Sequence, residues 1–285
     1  MPALTLIVTF LFSLFSFSAA HAFEARGMDK PASFIVDPAT GVYYVSNVAG
    51  SPTAKDNNAF IARISADGKL IDKNFIRSGK NGVQLDAPRG LAISGNHLFV
   101  ADIDAVRRFD KESGKPLGSI DFLLLGVKLL SGLAVDTDGN VYASDRFGNA
   151  IYRIDPAQNF QITVVAIDSR LGHPSGLVFE AAHKRLLVAA WGLGKVIAVD
   201  LQGNILQVHS RQFKNLDGID LDREGNIIVS DFTAGEIYRI KKYSTVEVLR
   251  RNMVAPAGVS YDFRNNQVLV PSFDGNLVFT FPLQR

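Results

Sequence analysis

The hydrophobic pattern of this chain changes rhythm every few residues, and the changes themselves recur. Short apolar runs rich in β-branched and aromatic residues end in a small residue followed by Asp, as in Leu98-Phe99-Val100-Ala101-Asp102, Val141-Tyr142-Ala143-Ser144-Asp145 and Ile227-Ile228-Val229-Ser230-Asp231. Runs this short, bounded by turn residues, predict strands rather than helices. Tight turns precede them, such as Thr137-Asp138-Gly139-Asn140 and Arg223-Glu224-Gly225-Asn226. A third strand follows, at Ala150 to Ile154 and Glu236 to Ile240, and then a more irregular fourth, at Gln161 to Ile167 and Val246 to Leu249.

Upstream of each second strand lies a shared opening. It reads Pro88-Arg89-Gly90-Leu91, Leu130-Ser131-Gly132-Leu133, Pro174-Ser175-Gly176-Leu177, Leu216-Asp217-Gly218-Ile219 and Pro256-Ala257-Gly258-Val259, with glycines every 40 to 44 residues. Pro31-Ala32-Ser33-Phe34 is a sixth copy with serine in the glycine place. Four short strands in roughly 42 residues, repeated six times, predict an all-β fold: a six-bladed β-propeller of four-stranded blades around a channel. The last copy stops after its third strand, Leu277 to Phe281, so Phe23 to Gly27 is expected to supply the missing outer strand and close the ring.

Leu4 to Phe17 is a mostly apolar run leading to Ala20-His21-Ala22, which reads as a secretory signal at 1–22 cleaved before Phe23. The expected mature unit is therefore one domain, 23–285, periplasmic or secreted, with no transmembrane span after cleavage. Cysteine is absent, which excludes thiol catalysis, iron–sulfur clusters and covalent haem, and leaves stability to core burial. With 30 basic against 28 acidic residues and no long basic run, nothing marks a nucleic-acid surface, and no phosphate-binding glycine loop is present. A monomer is expected.

The turn-strand-Asp unit with its Ile-Tyr-Arg-Ile strand resembles the NHL repeat, and the Pro-x-Gly-Leu openings resemble the senescence marker protein/gluconolactonase/regucalcin family. The resemblance covers essentially the whole mature chain and implies the propeller fold. It also implies one divalent cation, usually Ca2+, held at the channel mouth by residues beside the opening glycines. In this sequence those places hold Ala32, Leu130-Ser131, Ser175 and Asp217, so Asp217 is the only family ligand retained. One carboxylate and two hydroxyls are a poor set for a hard cation that takes six to eight oxygens.

The residues before the glycines should form an inner ring of Ala32, Arg89, Ser131, Ser175, Asp217 and Ala257. Arg89 could anchor a carboxylate or phosphate there, with Asp217 as hydrogen-bond acceptor or base; the alternative is a purely structural channel pair. His173, next to Pro174-Ser175, is a candidate general base at the same face. The strand-ending Asp102, Asp145 and Asp231 recur too regularly for catalysis and are expected to tie loops through backbone hydrogen bonds. Just beyond them Val48, Ile103, Arg146, Trp191, Phe232 and Phe273 should overhang the mouth, and Phe122 to Leu130 is too apolar for an ordinary loop. Three readings stand: a propeller binding a small, partly apolar ligand or a partner protein at its mouth; a lactone or ester hydrolase with a degenerate metal site; and a scaffold whose channel has no role.

Overall fold

The computed structural model describes residues 22–284. The expected signal segment lies almost wholly outside the described residues. Among these, six four-stranded antiparallel sheets stand in a ring and the helical content is limited to four three-residue 3-10 turns. The chain is a six-bladed all-β propeller. No helix among the described residues is long and apolar enough to cross a membrane.

Five blades are consecutive in sequence. The third, for example, consists of Leu130–Val135, Val141–Asp145, Ala150–Asp155 and Gln161–Ile167, each strand paired to the next. The sixth blade takes Ser260–Asp262, Gln267–Ser272 and Leu277–Pro282 from the C-terminal end, and Glu24–Arg26 lies antiparallel on its outer edge, Glu24 opposite Phe279 and Arg26 opposite Leu277.

The core sits between blades rather than inside them, because each sheet buries both faces against its neighbours. Phe99, Ala101 and Val106 of blade two pack on Leu133, Val141 and Tyr152 of blade three, and the same arrangement recurs around the ring. This explains the near-continuous apolar second strands, all of whose residues are buried in blades one, three and five. A two-sided sheet has no solvent face to alternate towards.

The opening glycine follows from how tightly inner strands approach. A Cβ on Gly132 would lie 2.2 Å from the Ser175 carbonyl oxygen, and one on Gly218 2.1 Å from the Val259 nitrogen, so any side chain would push the neighbouring blade away. A second device holds the same junctions. Ser46, Ser144 and Ser230 in the second strands of blades one, three and five each accept a hydrogen bond from their own blade's opening N–H, of Ser33, Gly132 and Gly218. Each then donates to the inner-ring carbonyl of the next blade, of Arg89, Ser175 and Ala257, at 2.6 Å. The even blades carry Ala101, Ala189 and Pro271 at that place, which cannot make the bond. The serine bridges therefore fix the backbone of every second member of the inner ring.

Candidate functional site

The strand-ending aspartates do the backbone work expected of them. Asp102 accepts from the N–H groups of Asp86 and Ala87, Asp145 from those of Lys128, Leu129 and Gly148, and Asp231 from those of Lys214, Asn215 and Ala234. Each ties the connection arriving from the preceding blade to its own second strand, which sets the loops of one face, termed the upper face below.

Arg146 follows Asp145 directly, and its guanidinium turns inward over the inner ring. Nη2 donates to Asp217 Oδ1 at 2.5 Å, to Ser131 Oγ at 3.2 Å, and to Ser175 Oγ. Ser175 Oγ also donates to Asp217 Oδ1 at 2.5 Å and lies 3.2 Å from Ser131 Oγ. The pair is mostly withdrawn from solvent, with side chains 8% and 12% exposed for Arg146 and Asp217. The Trp191 ring covers the guanidinium at 4.5 Å, a cation–π contact, and continues through Phe232 at 5.3 Å to Phe273 a further 6.0 Å on. On the other side of the ring Val48, Ile103, Leu129 and Ala87 cluster over Ala32, with Phe273 packed against them. The upper-face residues Val48, Ile103, Arg146, Trp191, Phe232 and Phe273 thus join into a packed cap across the ring.

Below this cap runs a cavity of about 310 Å3 along the propeller axis. Its first tier is Arg89, Ser131, Ser175 and Asp217 with Ala32; its second is Ile35, Ala92, Ala134, Val178, Asp220 and Ser260; it ends on Val36, Pro38, Ile93, Val135, Phe179 and Tyr261 towards the lower face. Trp191, Phe232 and Phe273 are not part of this lining. His173 is not either. It sits in a left-handed turn at the outside of the upper face, its ring against Phe147 at 6.1 Å and its N–H bonded to Asn149 Oδ1.

Arg89 and Asp217, opposite one another across the ring, do not pair. Asp217 is taken by Arg146, and the Arg89 guanidinium has no hydrogen bond or ion pair among the described residues, its Nε being buried without a partner. Burial depresses its pKa to about 10, the nearby Arg146 adding to the depression and Asp217 opposing it. Strict alternation along the fifth inner strand would put Asp217 and Ile219 on one face. The strand pairing shifts register between Leu216 and Ile219, so Asp217 and Asp220 both line the channel, and Ile219, which borders it too, packs between blades four and five. Asp220 accepts the N–H groups of Leu221 and, from blade six, Tyr261, each at 2.8 Å. Burial raises its pKa to about 6, against the lowering effect of those two bonds.

Sequence reading missed Arg146 and Asp220 as site residues. The first lacks any motif, since its partners lie as much as 71 residues away; for the second, a second Asp three positions after Asp217, unmatched in the other copies, was the available signal. The donor set suits a divalent cation badly, because the one carboxylate of the first tier is neutralised by Arg146 and faces a further guanidinium. No group of three or more metal-ligating side chains occurs among the described residues.

No family model matches the chain, and no curated protein matches it in sequence. Solved structures do match in fold. Virginiamycin B lyase from Staphylococcus aureus is similar over 93% of this chain and 99% of its own, at 15% identity and a TM-score of 0.66. A streptogramin B lyase aligns over 93% and 87%, at 10% identity and 0.62. A Bacteroides thetaiotaomicron protein of unknown function aligns over 93% and 72%, at 12% identity and 0.68. At these identities the likeness is one of fold.

Proposed function

We propose that this protein is a binding propeller whose axial cavity takes a small, partly apolar anion, with Arg89 as the anchor. The observation that carries the reading is a cationic side chain held inside a mostly aliphatic cavity with no partner of its own. Arg89 is half-buried, its Nε has no partner, and a carboxylate is the ligand whose geometry and charge match such a guanidinium best. The volume suits a molecule of modest size. Ile35, Leu91, Ile93, Val135 and Phe179 supply the apolar wall. Access is from the lower face, because the Arg146–Trp191 cap covers the upper one. Export, with residues 1–22 removed, remains part of this reading and is checked by N-terminal sequencing of the mature product.

The resemblance to lactonases and the fold likeness to lyases leave hydrolysis or elimination as alternatives. Asp217, the one position the lactonase resemblance retains, already accepts Arg146 and Ser175. His173 stands outside the cavity. Calorimetric titration with hexanoate is the direct test: binding to the wild type is expected, with affinity falling roughly tenfold or more in Arg89→Gln. A parallel titration with Ca2+ is expected to give no heat of binding. Calcium binding that disappears in Asp217→Ala, with no response to hexanoate, would restore the metal-dependent hydrolase.

A further inference from the structure

Arg89 is not the only ionisable group in the cavity without a counter-charge. Asp220 lines the second tier, where its neighbours around the ring are Ile35, Ala92, Ala134, Val178 and Ser260. Its carboxylate receives two backbone N–H groups and no cationic side chain. The Ser260 hydroxyl beside it is spent on the Phe34 carbonyl, so it does not donate to Asp220. Each carboxylate oxygen thus accepts one bond, and carboxylate oxygens together offer about four lone-pair sites. Asp220 is half-buried among these largely aliphatic neighbours, so the spare capacity faces the cavity, and burial raises the pKa of the group.

The two groups are displaced along the axis as well as across it. Asp220 follows Asp217 of the first tier by three residues, but the register shift lets three residues on this strand span two on its partner, so the axial step is about 7 Å at ~3.3 Å per strand residue. Arg89 is in the second blade and Asp220 in the fifth, on opposite walls. An elongated molecule with one end at the Arg89 tier reaches towards Asp220 with its other end, and no charged side chain lines the cavity between the two tiers.

We infer that the channel's ligand is a zwitterion of extended shape, with its carboxylate on Arg89 and a primary ammonium on Asp220, joined by an aliphatic spacer. This rests on the anion-binding reading of the cavity and adds the second, cation-recognising end. A simple fatty carboxylate would satisfy Arg89 and leave Asp220 facing hydrocarbon, which favours a ligand that pairs both.

The test compares two probes that differ only at the far end, hexanoate and 6-aminohexanoate, titrated calorimetrically at neutral pH into the mature chain and into Asp220→Asn. Asparagine keeps the side chain's shape and an acceptor oxygen, and a thermal melt of each variant establishes that it is folded. The expected result is that 6-aminohexanoate binds the wild type roughly tenfold tighter than hexanoate does, and that Asp220→Asn closes this gap, weakening 6-aminohexanoate and leaving hexanoate bound at least as well as in the wild type. Hexanoate binding as well as or better than the amino acid, or a gap that persists in Asp220→Asn, overturns the zwitterion and leaves the anion site standing. No binding of either probe overturns both.

Discussion

Two arginines reach the same tier of the channel and meet opposite circumstances. Arg146 comes down from the upper face, pairs with Asp217, bonds two serine hydroxyls and is covered by Trp191. Arg89 comes from the wall itself and meets no acceptor. The difference separates architecture from receptivity. A buried charge whose partners all come from the protein holds blades three, four and five together at the axis. One that lacks them is, in the proposed reading, the anchor for a ligand. The upper half of the channel is thus closed by an ion-paired network, in which Arg146 Nη2 is bonded although its Nε has no partner, and the lower half is a cavity whose arginine has no ion pair among the described residues.

Arg146→Ala should break this comparison most severely. It leaves the Asp217 carboxylate buried with only Ser175 to support it, and a loss of about 3 kcal/mol is expected from urea denaturation. Adding Asp217→Asn to it should recover part of that loss, since the uncompensated charge goes. Trp191→Ala removes the cover of the guanidinium and the first member of the aromatic row, and should cost about 2 kcal/mol by the same measurement. Arg89→Ala belongs at the other pole. With no partner to lose, its ligand-free stability should stay within about 1 kcal/mol of the wild type, shifted upward if at all, while hexanoate binding is lost. A destabilisation like that of Arg146→Ala would show that Arg89 is structural and that the two arginines are equivalent after all.

The smallest expected effect is in pH dependence. Asp220 has its folded pKa raised to about 6 from the ordinary aspartate value of 3.8, so between these values the folded state binds more protons than the unfolded one. Its contribution favours the folded state fully below the unfolded pKa and declines as pH rises through that window. The wild type should therefore lose stability relative to Asp220→Asn between roughly pH 4 and pH 6, and the difference should be flat above. A gap that widens in the opposite direction would mean that the carboxylate is held charged by a partner.

Blade number and strand order were legible along the chain because their causes are local. The turn at Thr137 to Asn140, the apolar run at Val141 to Asp145 and the opening at Leu130-Ser131-Gly132 each act within a few residues, and repetition multiplies the signal sixfold. The aspartate clasps were legible for the same reason: a residue repeated in equivalent places of several blades serves the repeat. The inner ring of Arg89, Ser131, Ser175 and Asp217 could also be read, since the glycines mark where the strands converge. What could not be read was the company each member keeps. Arg146 looked like one of six overhanging loop residues, and only the closed ring brings it within 2.5 Å of a carboxylate 71 positions away. Asp220 was hidden by the shift of register that breaks the period of two after Leu216. The sequence by itself determined the repeat, the glycines at the crowded axis and the capacity for charge inside it. Which arginine is neutralised, which is left free and which face the cavity opens on were decided by the tertiary structure, because electrostatic pairing depends on distances across the ring that no local pattern encodes.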